Sequence, residues 1–564
     1  MSKTVIWQVF TRLFCNSTEP AGLVPGGTLS ENGCGKMNSY TSEVLDYFRS
    51  QGATHIWFTG LLAHASRTDY PAYGIPASHP STVKGRAGSP YAIRDYYDID
   101  PDLAVSIPKR FTEFNALVRR VHGAGLGFIM DFVPNHVARE YHSIKAPKKV
   151  IGLGEDDNNS VFFSQMNNFY YIPNQELGGQ HDWQDYREYP AKATGNDQFS
   201  ATPSEYDWYE TVKLNYGVDY SDRSGHFDPR PDTWNKMTDI LLYWADKGVD
   251  GFRCDMAEMV PVEFWQYAIA KVKDKYPDIL FIAEIYNPGA YRTYLEWGGF
   301  DYLYDKVGLY DTLRAITTYR ESATAITRCW QQTGSCGSRM LHFLENHDEQ
   351  RIASDFFAGS GIRGRAGMIV SACMDTCPVM VYAGQELGER GMDEEGFSGR
   401  DGRSTIFDYW NPDTLYRLYN NGKLDGSKLT DEEKSLQKFY SNLLNVCKNE
   451  KSIAEGKFFD LMYVNPVSDN FNAHRQYAFM RSCDDEALLI VVNFDDKPVL
   501  NYINIPEHAF DYMGIPKMDT CRFTDLLNGN STDGVLHPDC PVRVNVPANG
   551  GAILKIRKST WQSA

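Results

Sequence analysis

The stretch Phe128-Ile129-Met130-Asp131-Phe132-Val133-Pro134-Asn135-His136 is an apolar run that ends in polar side chains. A polar group costs free energy inside a buried run, so a strand that carries such groups at its end is leaving the core and entering a loop. The stretch therefore predicts a buried strand whose carboxyl end carries functional groups.

Three further segments along the chain have the same design. They read Gly251-Phe252-Arg253-Cys254-Asp255, Phe281-Ile282-Ala283-Glu284 and Phe343-Leu344-Glu345-Asn346-His347-Asp348. The carboxyl ends of parallel barrel strands meet at one face, and barrel enzymes keep their chemistry there. The four segments therefore predict one active site distributed over a single barrel.

Runs of apolar, β-branched or aromatic residues recur along the chain with helical patterns between them. The runs are Val5–Phe10, His55–Thr59, Phe128–Val133, Gly251–Cys254, Ile279–Ala283, Phe300–Tyr304, Met340–Leu344 and Pro378–Ala383. Eight such strands predict an α/β protein with a closed (β/α)8 barrel, the TIM-barrel fold.

Two helices of this barrel have clear signals. Between the second and third strands, apolar residues recur at i, i+3, i+4 and i+7, which predicts a helix outside the sheet. These residues are Phe114, Leu117, Val118 and Val121. Thr430 and Glu433 have the spacing of a capping box and predict the start of the last barrel helix.

The pattern of strands and helices breaks twice, which predicts three domains. Residues 137–231 make a connection far longer than a normal βα loop, so we expect a small domain inserted after the third strand. Residues 1–136 and 232–450 form the barrel. From residue 451 to 564, alternating strands without helices predict an antiparallel β-sandwich that lacks catalytic residues and packs against the barrel.

The bulk composition is typical of a globular protein. Apolar residues make up 42% and charged residues 23%, without low-complexity tracts or repeats, which excludes disordered and solenoid classes. The net charge is −17, and the Lys and Arg residues are interspersed with acids. Because nucleic-acid binding needs a basic face, we expect no nucleic-acid partner, whereas a neutral substrate is indifferent to this charge.

The N-terminal residues Met1–Gln8 lack the features of a signal peptide, and no uncharged apolar run approaches the roughly 20 residues of a membrane span. Eleven cysteines, an odd number without a C-x-x-C pair, fit reduced thiols better than disulfides. These features predict a cytoplasmic protein without a membrane partner. They do not predict an oligomeric state.

The paired acids at the strand ends suit the cleavage of a glycosidic bond, which needs one carboxylic acid and one carboxylate. Apolar residues precede Glu284 and would keep it protonated as the acid. Arg253 lies two residues before Asp255 on the same strand face, where its charge would keep Asp255 ionised as the nucleophile.

Each of these residues also has a structural interpretation. A single acid at a strand end is often a helix cap or half of an ion pair, and His136 alone would be an ordinary loop histidine. Asp131 is expected to be a buried partner of Arg253. The four segments together favour an active site, because they occur in order at separate strand ends.

The segments resemble the conserved regions of glycoside hydrolase family 13, the α-amylase family, over the chain up to about residue 450. This resemblance implies that Asp255 is the nucleophile, Glu284 the general acid/base and Asp348 the transition-state stabiliser. It also implies a sugar-binding shell around them and two supporting residues of the first motif. The shell residues are Arg253, His136 and His347, and the supporting residues are Asp131 and Asn135.

Two more segments carry the resemblance. Ser89–Tyr96 is similar to a family segment in which Tyr91 would stack on the sugar beside the cleaved bond and Asp95 would support it. An aromatic ring suits the apolar face of a glucosyl unit. Glu386, with Gln385, fits the segment after the eighth strand.

The chain departs from the family pattern at two places. Glu258 and Met259 stand where many α-amylases carry Lys-His, so the acceptor-side contacts must differ. Val212–Asn215 resembles the neopullulanase and cyclomaltodextrinase subgroup, with Lys213 where calcium-dependent amylases have an acid. Because Ca²⁺ wants six to eight oxygen ligands, we expect neither the usual calcium site nor a required cofactor.

The resemblance implies a retaining hydrolase that cleaves α-1,4 bonds in maltodextrins, with an α-glucan oligosaccharide as its substrate. The same scaffold also fits a transglycosylase or an α-glucosidase. A non-catalytic glycan-binding homologue is disfavoured, because Asp255, Glu284 and Asp348 are all present.

Overall fold

The computed structural model describes residues 2–392, 396–484 and 486–557, and its centre is a barrel of eight parallel strands. In chain order the strands are Val5–Phe10, His55–Thr59, Gly127–Phe132, Gly251–Cys254, Leu280–Ala283, Tyr302–Tyr304, Met340–Leu341 and Val379–Tyr382. They pair in the order seventh, sixth, fifth, fourth, third, second, first, eighth. The His342 N–H donates to Pro378 O at 3.1 Å and the Met380 N–H donates to His342 O at 2.8 Å. These bonds join the seventh strand to the eighth and close the barrel. The predicted (β/α)8 fold is confirmed.

An apolar plug fills the inside of the barrel, and polar side chains stand on top of it. The plug is made by inward-pointing residues that include Ile6, Trp57, Ile129, Ile282, Leu341 and Met380. Side chains alternate along a strand, so the residue two positions later points the same way. Gln8, Asp131 and Glu284 occupy such positions at the first, third and fifth strands. The alternation therefore brings the polar groups of separate strands to one level.

Helices surround the barrel, as the sequence predicts. They span Leu29–Asn32, Ser42–Ser50, Arg110–Gly123, Asp232–Ala245, Val262–Lys275, Tyr291–Glu296, Asp311–Thr317, Ala325–Thr333, Arg365–Cys373, Asp413–Tyr419, Asp431–Asn449 and Lys451–Ala454. The helix Arg110–Gly123 buries all four of the predicted apolar residues. Thr430 caps Asp431–Asn449, with the reciprocal Glu433 bond of the predicted capping box. None of the helices in the described residues has the length and apolarity needed to cross a lipid bilayer.

The long connection after the third strand folds as an irregular unit with short strands. It opens with His136–Ala138, which pairs antiparallel with Thr211–Lys213 and so sets His136 opposite Lys213. Its other pairs are Tyr171–Ile172 with Ala191–Lys192 and Val218–Asp219 with Ser224–Gly225. A further pair, Leu62–His64 with Ile93–Ile99, follows the second barrel strand. The insertion is thus tied to the barrel beside the ends of the strands.

The C-terminal part is an antiparallel β structure, as predicted. Its six-stranded sheet has the strand order Lys457–Asp460, Gln476–Cys483, Glu486–Asn493, Gly550–Arg557, Met518–Asp525 and Ser531–Leu536. In a separate two-stranded sheet, Val499–Ile503 pairs with Val542–Val546. The prediction that this part has no helix is wrong, because Glu507–Met513 forms a helix between Pro506 and Gly514. The boundaries placed at residues 136, 231 and 450 stay predictions.

Candidate active site

Arg253 lies at the carboxyl ends of the strands, and its guanidinium approaches four carboxyl groups. It is 1% exposed, and its Nη1 lies 2.7 Å from Asp255 Oδ1 and 3.6 Å from Asp131 Oδ1. Its Nη2 lies 2.8 Å from Glu284 Oε2 and 3.9 Å from Asp348 Oδ2. The four sequence segments therefore meet at one buried cation.

Three aromatic rings enclose this guanidinium. The ring centroids of Trp57, Tyr91 and Tyr304 lie 5.3, 5.5 and 5.4 Å from its central carbon. Arg253 Nε also donates to the Tyr304 hydroxyl at 3.1 Å. Burial disfavours the charged form, but the carboxylates, led by Glu284, outweigh burial and raise the pKa of Arg253. The cation is fixed in place and stays charged.

Asp255 contacts Arg253 as expected, and three further acids surround it. Burial raises the pKa of Asp255 well above its ordinary value, and the charges of Glu284, Asp348 and Asp131 add to the effect. One guanidinium does not compensate four neighbouring carboxyl groups, so burial and the neighbouring acids oppose the ionising effect of Arg253 on Asp255. That Arg253 keeps Asp255 ionised stays a prediction.

The carboxyl group of Glu284 is buried, at 3% exposure, but its contacts are polar. Oε2 accepts the Met256 N–H at 2.7 Å and pairs with Arg253, and Oε1 accepts the Tyr286 hydroxyl at 2.5 Å. Met256 has a left-handed backbone with φ of 44°, uncommon for a residue with a side chain. The expected apolar surround is therefore only partial, because Ile282 lies on the same side of the strand as Glu284 whereas Ala283 faces the opposite side.

His347 links Tyr91 to Asp348. Its Nδ1 lies 2.9 Å from Gln8 Nε2, and its Nε2 lies 2.6 Å from the Tyr91 hydroxyl and 3.0 Å from Asp348 Oδ2. With the Gln8 amide donating to Nδ1, the Nε2 atom carries a hydrogen that faces Tyr91 and Asp348. The Tyr91 ring stacks on His347 at 5.1 Å, and its hydroxyl donates to Asp131 at 3.3 Å.

Asp348 is the most open of the three predicted catalytic acids, with 36% of its side chain exposed. Burial opposes its ionisation, but His347, Arg253 and Arg403 lower the pKa of Asp348 below its ordinary value. It therefore stands as an accessible carboxylate at the rim of the cluster.

His136 and Asn135 lie where the insertion leaves the barrel. Burial, together with Lys213 and Lys84, lowers the pKa of His136 to about 3, so the ring is neutral at ordinary pH. The Trp208 ring of the insertion lies 5.2 Å from the His136 ring. A neutral imidazole beside an aromatic ring suits a sugar, which offers hydroxyls and an apolar face.

Residues 8–456 match the family model for the α-amylase catalytic domain, and this range includes all four segments. The chain belongs to the α-amylase family. It is accordingly a glycoside hydrolase of this family, with glycosidase or transglycosylase activity.

Curated relatives agree with the family model. Alpha-amylase MalA of Haloarcula japonica is 22% identical over 502 residues, which cover 88% of this chain and 56% of that protein. Neopullulanase 2 of Thermoactinomyces vulgaris is 20% identical over 523 residues, which cover 90% of this chain and 72% of that protein. The match thus spans little more than half of the length of MalA.

Solved α-amylases share the fold over nearly the whole chain. The noncanonic maltogenic α-amylase AmyB from Thermotoga neapolitana superposes with a TM-score of 0.62 at 18% identity, covering 98% of each chain. The α-amylase of Geobacillus thermoleovorans, solved in complex with acarbose, has a TM-score of 0.62, 18% identity and the same coverage.

Asp95 is not part of the cluster around Arg253 in this α-amylase-family chain. Its carboxylate accepts the Tyr97 N–H and, from the first turn of the insertion, the Ser143 hydroxyl and the N–H groups of Ile144 and Lys145. These bonds use both carboxylate oxygens. Asp95 therefore anchors a loop, and none of these bonds goes to Tyr91, which the motif expects it to support.

Glu386 is also outside the cluster. It is fully buried after the eighth strand, where Oε2 accepts the Gly384 N–H at 2.8 Å and Oε1 the Tyr47 hydroxyl at 3.3 Å. Burial raises the pKa of Glu386 to about 7. Its contacts are those of a structural residue and not of a substrate ligand.

The raised pKa of Glu386 predicts a pH-dependent stability. Below pH 4 the Glu386 carboxyl is neutral in the folded and in the unfolded chain. As the pH rises to about 7, this carboxyl ionises in the unfolded chain but stays neutral in the folded one, which lowers the free energy of unfolding. The Glu386→Gln variant should therefore match the wild type near pH 4 and be more stable at pH 8, by about 3 kcal/mol at most. Urea unfolding at the two pH values measures this; equal stabilities at pH 8 would contradict it.

Three aromatic residues at the site were not predicted. Trp57 Nε1 donates to Asp131 Oδ2 at 3.2 Å, Tyr304 contacts Arg253, and Tyr286 contacts Glu284. Each lies in or just after a barrel strand and carries a polar atom on its ring. A buried aromatic residue of this kind usually points its polar atom at a partner, and this signal was available in the sequence.

Proposed function

We propose that this chain is a retaining α-glucan hydrolase that cleaves α-1,4 bonds in maltodextrins, with Asp255, Glu284 and Asp348 as its catalytic acids. The observation that carries the proposal is that one buried guanidinium lies 2.7 Å from Asp255 and 2.8 Å from Glu284, with Asp348 at the open side. A glycosidase needs two carboxyl groups close together at a cleft. The relatives support the substrate class, since their names are those of α-amylases and a neopullulanase.

In the first step an Asp255 oxygen attacks the anomeric carbon while the bond to the leaving oxygen breaks. Glu284 gives its proton to that oxygen, so a shortened glucan leaves and a glycosyl ester remains on Asp255. In the reactive arrangement Glu284 must therefore carry a proton and Asp255 must be ionised. Proximity to Arg253 favours the ionised form of Asp255 at that moment.

In the second step Glu284 takes a proton from water, and the water oxygen attacks the anomeric carbon. The ester bond to Asp255 breaks, which frees the product with its α configuration and restores both acids. Asp348, an exposed carboxylate beside His347, is placed to bind sugar hydroxyls in the transition state. Tyr91 supplies aromatic surface beside His347, and Trp208 supplies it beside His136.

We also propose that the enzyme needs no calcium ion. The Lys213 ammonium, 2% exposed, contacts Asn135 Oδ1, lies 2.6 Å from Asp197 Oδ1 and donates to Met259 O at 3.3 Å. These three oxygens converge on a cation that belongs to the chain. Ca²⁺ needs six to eight oxygens and is repelled by an ammonium, so this donor set does not fit it.

EDTA should therefore leave both the rate on maltodextrins and the melting temperature unchanged, within about twofold for the rate. The measurement compares enzyme dialysed against EDTA with the same enzyme after addition of Ca²⁺. Activity that disappears in EDTA and returns with Ca²⁺ would show that a calcium site exists.

The proposed function is tested with maltoheptaose, without and with a labelled short acceptor. Shorter products in the α-anomeric form, and no labelled longer ones, are expected of a retaining hydrolase. Labelled products longer than the acceptor would assign a transglycosylase instead, because the glycosyl ester would then pass to a sugar hydroxyl. Glucose released from the chain end alone would assign an α-glucosidase, and no product at all would refute the proposal.

A further inference from the structure

The two oxygens of the Glu284 carboxyl group have different surroundings. Oε2 faces the Met256 N–H at 2.7 Å and the Arg253 Nη2 at 2.8 Å. The Met256 N–H donates to Oε2, and the positive charge of Arg253 lies beside it, so both disfavour a proton on Oε2. The proton that a general acid delivers therefore belongs on Oε1, and the group that touches Oε1 is the Tyr286 hydroxyl, at 2.5 Å.

Tyr286 is suited to hold this oxygen in both charge states. Burial raises the pKa of Tyr286 well above its ordinary value, and the charges of Glu284 and Asp348 add to the effect. Its hydroxyl therefore keeps its hydrogen at ordinary pH. The hydroxyl donates to Oε1, and a protonated Oε1 keeps a lone pair for this bond, so the contact survives each proton transfer and leaves the proton of the acid free for the leaving oxygen.

The backbone of Tyr286 is fixed by a second acid, Glu258. The Oε2 of Glu258 accepts the N–H of Tyr286 at 3.2 Å and the N–H of Asn287 at 3.1 Å. The carbonyl of Glu258 in turn accepts the Tyr294 hydroxyl at 3.2 Å. Glu258 thus joins the loop after the fourth strand, which carries Met256, to the loop after the fifth strand, which carries Tyr286.

We propose that Tyr286 is a positioning residue that aims Oε1 of Glu284 at the leaving oxygen, and that Glu258 holds Tyr286 in place. The inference rests on the proposed function, in which Glu284 protonates the leaving group. It assigns a role to Glu258 at a position where the family pattern differs. A displacement of the acid by about 1 Å is enough to cost on the order of 10²-fold in rate.

The test uses Tyr286→Phe, which removes the hydroxyl and keeps the ring. Values of kcat/KM, which report formation of the glycosyl ester, are measured on maltoheptaose and on α-maltosyl fluoride. Fluoride leaves without a proton, so an acid that is badly aimed matters only for maltoheptaose. The expected result is a roughly 10- to 100-fold loss on maltoheptaose and a change within about twofold on the fluoride.

Glu258→Ala provides a second variant, and Tyr291→Phe a matched control. Glu258→Ala should show the same selective loss on maltoheptaose. The double variant should be as active as the less active of the two single variants, because both substitutions act through one contact. The Tyr291 hydroxyl is buried and has no hydrogen-bond partner among the described residues. Its removal should leave both substrates at the wild-type rate.

Equal losses on the two substrates would overturn the inference, since they would indicate a general structural defect. A Tyr286→Phe enzyme that cleaves maltoheptaose at the wild-type rate would also overturn it. In either case the proposed function stands if the wild type cleaves maltoheptaose. A wild type that cleaves neither substrate would instead refute the proposed function.

Discussion

Glu284→Gln is expected to lower kcat on maltodextrins on the order of 10⁴-fold, because the amide has no proton to deliver and general acid–base catalysis contributes that much. The side chain is 3% exposed, and its amide keeps the same volume and an oxygen for the Met256 N–H. The fold should therefore be retained. Steady-state rates on maltoheptaose, together with a thermal melt, measure both quantities.

The matched control is Glu263→Gln, which removes an exposed carboxylate from the helix Val262–Lys275. It should keep the wild-type rate. The leaving group supplies a further check, because α-maltosyl fluoride should still form the glycosyl ester on the Glu284→Gln enzyme. A variant with nearly normal activity on maltoheptaose would mean that another residue is the acid.

Arg253→Met is expected to remove activity, by about 10³-fold, and to destabilise the fold by about 3 to 5 kcal/mol. It deletes the cation that lies within 4 Å of Asp131, Asp255, Glu284 and Asp348. Four carboxyl groups then share a buried site without a compensating charge. Urea unfolding and maltoheptaose rates measure the two losses.

The destabilisation by Arg253→Met should depend on pH in a defined direction. Without the cation the folded state binds protons more tightly than the unfolded state, so the variant loses stability as the pH rises. Its deficit relative to the wild type should be larger at pH 8 than at pH 5. Arg253→Lys keeps the positive charge but loses the planar guanidinium with its several N–H donors. Relative to Arg253→Met it should therefore recover more of the stability than of the activity. A stability deficit that is the same at both pH values would show that Arg253 does not offset the charge of the buried carboxyl groups.

Much of this architecture could be predicted from the sequence, because strand periodicity is a local property. The alternation that places Arg253 and Asp255 on one face holds in the fold, and Asp131 lies opposite Arg253 in the strand register. The helix Arg110–Gly123 and the Thr430 cap follow from spacing in the same way. Features that depend only on residues a few positions apart in the chain could therefore be predicted.

The contacts that depend on distant parts of the chain were not predicted. The polar contacts of Glu284 come from Arg253, Met256 and Tyr286, and its direct sequence neighbours Ala283 and Ile285 face the other side of the strand. Asp95 matches a motif, but its carboxylate is used by a loop about 50 residues later. A motif reports which side chain is present, and the partner of that side chain depends on the packing of the whole domain.

In the calcium-free enzyme that we propose, the Lys213 ammonium at the junction of the insertion and the barrel is a cation tethered to the chain in the place of a dissociable ion. A bound ion stabilises a protein by an amount that falls as its free concentration drops towards the dissociation constant. A lysine side chain is covalently attached to the chain, so neither dilution nor a chelator can remove it from Asn135 and Asp197. On this proposal, the alignment of His136 with the barrel is set by the chain itself and not by the ionic composition of the medium.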